Sequence, residues 1–175
     1  AKDREKLFTQ LIEALDDKDA DVRAVALQGL LTVENHLATV PGLMGKKIVP
    51  FLSDKSPEIR QVAAELLRSG RTDEIEEIIQ ALTETLSDSD EKVRTVALFS
   101  LFRRAESAMS ALPQVNEKLT DDSPMVRKVA LTTLLKIDPK GETVLSALGN
   151  ALGDENYEVR LNSVNQIATM ELVTQ

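Results

Sequence analysis

One sentence of twelve residues is written five times along this chain, at Leu15 to Ala26, Leu52 to Ala63, Leu86 to Ala97, Leu119 to Ala130 and Leu152 to Ser163. Each copy opens on a Leu and places an Asp two residues later (Asp17, Asp54, Asp88, Asp121, Asp154). Six residues after the Asp comes an Arg (Arg23, Arg60, Arg94, Arg127, Arg160), always preceded by Val or Ile. The arginines follow one another at intervals of 37, 34, 33 and 33 residues. Self-similarity at such a period constrains the chain to a stack of small units, each burying its apolar face only against its neighbours.

Within a unit the local signals are those of two helices. Four residues before each Arg stand Asp19, Ser56, Asp90, Ser123 or Asn156, side chains that accept a hydrogen bond from the free N–H groups of a helix start. The next residue is Ala20, Pro57, Glu91, Pro124 or Tyr157, and proline suits a first helical position because the N–H it lacks has no partner there. Positions −1, +3, +4 and +7 from the Arg are then almost all apolar or small, as with Val126, Ala130, Leu131 and Leu134, a helix-period stripe. Upstream of the opening Leu lies a second amphipathic run, such as Leu7, Phe8, Leu11, Ile12 and Leu15, or Ile75, Ile78, Ile79, Leu82 and Leu86. We call the upstream helix A and the downstream one B. The pattern predicts an all-α fold, an α-solenoid of about five stacked antiparallel helix pairs without strands. It forms a single repeat domain over 1–175, with units at about 2–35, 36–70, 71–106, 107–138 and 139–175.

The joins differ. Residues 35–45, with Pro41 and Gly42, take up the extra length of the first unit and read either as a binding loop or as a longer connection. Gly70 is a stop signal, with Thr72 or Asp73 as the next cap, and Pro113 is expected to bend or shorten the fourth helix A. The last helix B carries Asn162, Ser163, Asn165 and Gln166, which reads either as a water-facing terminal cap or as a stretch before further repeats.

Leu, Asp, Val or Ile, Arg and Ala at this spacing resemble the HEAT repeat, especially the short HEAT-like repeats of the bilin-lyase type, over nearly the whole chain. The resemblance implies that Asp and Arg form a structural ladder, each Arg reaching the Asp of its own or a neighbouring turn in a partly buried seam. It implies no single activity, because HEAT repeats serve scaffolds, transport receptors, a few enzymes and nucleic-acid binders. The deoxyhypusine hydroxylase branch depends on His-Glu pairs that hold iron, and this chain has one histidine, His36.

Composition narrows the chemistry further. The chain has no cysteine, so disulfides and thiolate zinc sites are excluded. A net charge of −8 disfavours general nucleic-acid binding, which needs a basic face. No apolar run is long enough to span a bilayer, and the polar opening Ala1-Lys2-Asp3-Arg4-Glu5 shows no signal-peptide core. A cytoplasmic location is favoured, and an opening on Ala suggests a processed or excised chain. Asp17, Asp19 and Asp21 imitate a calcium loop, but Val22 stands where glycine is needed and Gln28 where the closing Glu belongs. A phosphate-binding glycine loop is absent and no carboxylate pair sits in an apolar setting. The expectation is a protein without cofactor, metal or catalytic residues.

The leading functional reading is a protein–protein interaction scaffold that binds a partner, such as an acidic peptide or helix, on the concave surface lined by helices B. Positions +1, +5 and +9 from each Arg should face away from the core, being four apart and lying between the apolar positions. In units 3 and 4 these rows and their flanks give the candidate site Phe99, Arg103, Arg104, Lys128, Thr132 and Lys136, an apolar anchor ringed by cations. The competing reading of Phe99 packs it against Leu131 or Phe102 in the seam. Alternatives for the whole chain are a nucleic-acid binder resembling the HEAT-like DNA glycosylases, and an engineered array without a partner.

Overall fold

The computed structural model describes residues 2–34, 44–69 and 75–173, and every regular element among them is helical. The ten α-helices are α1 Lys2–Ala14, α2 Ala20–Glu34, α3 Met44–Ile48, α4 Pro57–Ser69, α5 Ile75–Thr85, α6 Glu91–Arg103, α7 Leu112–Glu117, α8 Pro124–Ile137, α9 Glu142–Leu152 and α10 Tyr157–Val173. Odd numbers are helices A and even numbers helices B. The join containing His36, Pro41 and Gly42, and the turn with Gly70, Thr72 and Asp73, lie outside the described residues.

Helix starts follow the expected caps. Asp90 Oδ1 accepts from the N–H groups of Lys92 and Val93 at 2.8 and 3.1 Å, Asp19 from Asp21 and Asn156 from Glu158. Ser56 reaches Ile59 at 3.5 Å, whereas Ser123 makes no side-chain cap bond. The acidic turn that imitates a calcium loop is used up in such bonds, with Asp17 and Asp19 each accepting from the backbone two residues on. Pro113 acts as expected: α7 is six residues long and follows two 3₁₀ turns, Ala105–Ser107 and Met109–Ala111. Pro50 shortens the second helix A in the same way, so α3 passes after five residues into the 3₁₀ segment Val49–Ser53.

The core runs along the stack between the two layers, as one chain of Leu, Ile, Val and Ala from Phe8 to Val159. Helices B pack directly on one another, α2 on α4, α4 on α6, α6 on α8 and α8 on α10. Among the described residues the A elements meet mainly where α5 touches the 3₁₀ turns on either side. Helices B thus form the more continuously packed of the two layers.

Two kinds of polar bond close the B seams. In the first, a hydroxyl six residues after the Arg bonds to a carbonyl of the preceding helix B. Ser100 Oγ donates to Ala64 O at 2.8 Å and Thr133 Oγ1 to Leu98 O at 3.3 Å, both buried. The second is the ladder. Arg94 Nη1 donates to the backbone oxygens of Asp88 and Ser89 in its own turn, at 2.9 and 3.2 Å. Its Nε and Nη2 form a fork on the carboxylate of Asp121 in the next repeat, at 2.9 and 2.7 Å. Arg60 grips Asp88 and Arg127 grips Asp154 in the same manner. The Arg thus reaches both turns: backbone behind, carboxylate ahead. Each gripped carboxylate also accepts from a backbone N–H two residues on, which fixes its orientation before the guanidinium arrives.

These pairs are partly buried, Arg94 and Asp121 keeping 13% and 6% of their side-chain surface. Burial pushes the Asp88 and Asp121 carboxyls up, yet the guanidinium and the backbone N–H outweigh it and hold both below the usual carboxylate range. For Asp154 the bond from Arg127 is the largest cause and acts in the same direction. The Asp bonds in turn raise Arg60, Arg94 and Arg127. Among the described residues no such bond joins Arg23 to Asp54. Arg23 bonds, among the described residues, only to the carbonyls of Asp17 and Lys18.

Of the polar residues Asn162, Ser163, Asn165 and Gln166 on the last helix, Asn165 is exposed, Gln166 is half-buried and the other two turn inward. Asn162 donates inward to Lys128 O and Thr132 Oγ1, and Ser163 is buried against Leu148 O. The final unit exposes Leu145, Leu152, Leu161 and Val164 among polar residues such as Asn150, Glu158, Asn165 and Thr169.

Candidate functional site

Positions +1, +5 and +9 of helices B face away from the core, as the spacing requires. Every described residue in these rows is exposed or half-buried, from Ala24 and Gln61 to Leu161 and Thr169. The structure adds position −2, one turn earlier on the same face. The columns then read Asp21, Ala24, Gln28, Thr32 on α2 and Glu58, Gln61, Glu65 on α4. They continue as Lys92, Thr95, Phe99, Arg103 on α6, Met125, Lys128, Thr132, Lys136 on α8, and Glu158, Leu161, Asn165, Thr169 on α10.

The face is divided by charge and polarity. On α2 and α4 its ionisable groups are acidic. On α6 and α8 they are the cations Lys92, Arg103, Lys128 and Lys136, and the apolar side chains Phe99, Met125 and Leu161 stand among or beside them. Phe99 keeps 44% of its surface exposed, so its ring is not part of the buried core. Arg103 and Lys136 are exposed, and among the described residues neither makes an ion pair. Lys128 is half-buried and leans toward Glu158 at 3.8 Å. Thr132 is half-buried as well, donating to Lys128 O and accepting from Asn162. The sequence reading missed Lys92 and Met125, although the row three residues before +1 was available to it.

Arg104 belongs elsewhere. Its Nε donates to Leu67 O at 2.8 Å, and the residue is half-buried at the C-terminal end of α4. A guanidinium so placed satisfies a helix-end carbonyl that has no partner within its own helix. Arg104 therefore ties α6 to α4 and stands apart from the cations around Phe99.

Stacked helix pairs, a continuous B layer and Asp–Arg rungs define a helical-repeat solenoid of the HEAT and armadillo kind. The model of the family described as the adaptin N terminal region matches residues 3–173, and the chain belongs to that family. Among solved structures it is similar to an engineered protein at 21% identity and TM-score 0.64, covering 89% of this chain and 77% of that one. It is also similar to a designed armadillo repeat protein at 20% identity and TM-score 0.63, over 93% and 83% of the two chains. A further designed armadillo repeat protein, solved in complex with the peptide (KR)4, aligns at 22% identity and TM-score 0.63, again over 93% and 83%. No curated protein matches the chain. No described helix is long and apolar enough to cross a membrane.

Proposed function

We propose that the chain is a protein-binding scaffold rather than an enzyme, and that its B face at repeats 3 and 4 takes an acidic peptide or helix bearing an apolar residue. The observation that carries this is Phe99, exposed on the face of helices B, with Arg103 on the next turn of its own helix and Lys128 and Lys136 on the neighbouring one. An aromatic anchor flanked by cations is the composition of a binding hot spot, and opposite charge in the partner steers encounter and fixes register. A solenoid's extended face suits a peptide lying across its repeats, and one designed armadillo neighbour was solved with a peptide. That peptide is basic. The cations here call for the opposite sign.

Nucleic acid is the weaker reading. Glu58 and Glu65 on the adjoining part of the face and the net charge of −8 oppose phosphate, which binds through counterion release on a basic surface.

The test is fluorescence anisotropy with a labelled Glu/Asp-rich peptide containing one Phe, against a Lys-rich peptide of equal length. The acidic probe should bind, and Phe99→Ala and Lys136→Glu should each weaken it about tenfold or more with little change in thermal midpoint, both side chains being exposed. Equal binding of the basic peptide, or unchanged affinity in both variants, would overturn the proposal.

A further inference from the structure

The face of helices B changes the sign of its charge between α4 and α6. Its columns carry Asp21 on α2 and Glu58 and Glu65 on α4, with no basic residue among them. The columns of α6 and α8 carry Lys92, Arg103, Lys128 and Lys136, with no acidic one. Asp21 and Glu58 are exposed, as is Lys92 across the boundary. Glu65 is half-buried and meets Arg68, beside the column, at 3.4 Å. Ser56 Oγ donates to Glu58 at 2.6 Å, which leaves the carboxylate its charge.

Helix dipoles do not produce this division. They favour acids in a first turn and bases in a last one, which suits Asp21, Glu58, Arg103 and Lys136. Lys92 stands in the first turn of α6 against that preference, Met125 takes the same place on α8, and Glu65 lies in the middle of α4. The sign follows the repeat, not the position within the helix.

We propose that the partner is a bipolar extended segment, acidic where it crosses α6 and α8 and basic where it continues over α4 and α2. This rests on the reading that α6 and α8 take an acidic peptide with an apolar residue at Phe99. Packed helices stand about 8–10 Å apart and an extended chain advances about 3.3–3.6 Å per residue, so the segment crosses one helix B in about three residues. Phe99 lies on α6, the helix that borders the acidic half. The first basic residue of the partner therefore stands about three residues from its apolar one, over α4, and a second about three further on, over α2. Such a reversal of sign fixes register, because a slip by one repeat sets like charges against each other. Ala24 is the one apolar residue in the acidic columns, so the basic part strengthens a partner already anchored at Phe99.

Fluorescence anisotropy tests this with the labelled acidic peptide containing one Phe, extended at either end by a tail that is neutral or carries two lysines. In the better of the two orders, lysines about three and six residues from the Phe should tighten binding about fivefold over the neutral tail, and the gain should shrink at high salt. Asp21→Asn combined with Glu58→Gln should abolish that gain and leave the affinity for the neutral-tailed peptide unchanged, with circular dichroism checking that the double variant keeps its helices. No gain from the lysines, or a gain that survives in the double variant, would overturn the proposal. So would a larger gain with the lysines about six and twelve residues from the Phe, the spacing of a helical partner. A neutral-tailed peptide that fails to bind would overturn the reading of α6 and α8, and this inference with it.

Discussion

The seam between repeats 1 and 2 and the three seams after it use the same residues and close differently. At the later seams a guanidinium fork reaches the carboxylate of the next repeat across 27 or 28 positions of chain. Arg23 and Asp54 stand 31 positions apart, and no rung forms between them. In its place Lys47 Nζ meets Asp16 Oδ2 at 3.1 Å, with 44% and 76% of the two side chains exposed. The apolar contact survives, since Leu27, Leu30 and Ile48 are fully buried. Burial of the core therefore tolerates three or four extra residues in a unit, whereas a bidentate bond does not. Bulk packing is a matter of area, and a fork is a matter of geometry.

The largest effect should come from breaking a rung. Arg94→Ala leaves Asp121 buried without its guanidinium and is expected to cost about 3 kcal/mol in urea unfolding. Arg23→Ala, which loses only bonds to exposed carbonyls, should cost under about 1 kcal/mol. Equal losses at the two positions would mean that the rung adds nothing to a seam.

Acid should expose the same difference. Asp88, Asp121 and Asp154 have folded values below the ordinary one, so the unfolded chain binds protons at these groups more readily than the folded one. Their contribution is complete above the unfolded Asp value of about 3.9 and is lost as pH falls through the lower folded values. The urea midpoint should therefore drop in that window, and Asp121→Asn, already weakened at neutral pH, should show a shallower further loss than the parent. A parallel acid limb in the variant would remove the rung from the explanation.

A smaller change is expected at Ser100, whose buried hydroxyl joins α6 to α4. Ser100→Ala should cost about 1 kcal/mol, because Ala64 O also belongs to its own helix and is not left bare. The smallest belongs to the exposed pair: Lys47→Ala should shift stability by less than about 0.5 kcal/mol. Native-state hydrogen exchange would sharpen the contrast, with amides of α2 opening at lower free energy than those of α6 and α8.

The period, the caps and the apolar stripe made the helical layers legible, since each depends on a few neighbouring residues. The direction of the ladder was not legible. In a repeating sequence the Asp six positions back and the Asp some 27 ahead are the same letter, and only the fold shows that the backbone of one and the carboxylate of the other are gripped. Of the two turns that the resemblance allowed, Arg94 takes the carboxylate of the neighbouring one, Asp121, and only the backbone of its own. The exposure of Phe99 followed from helical periodicity. The departure of Arg104 did not, because its target is a backbone carbonyl at a helix end, which leaves no mark in the sequence. Ser100 and Thr133 could have been noticed as hydroxyls inside apolar helices.

A side chain that holds the turn behind by two carbonyls and the turn ahead by one carboxylate works as a gauge of unit length. Insertion of a few residues between Arg and the next Asp misses the gauge, as the 37-residue unit shows. Insertion or loss of a whole unit satisfies it again. Arrays of this kind are thus free to lengthen or shorten by duplication and deletion of entire helix pairs, while single-residue slips between rungs are selected against.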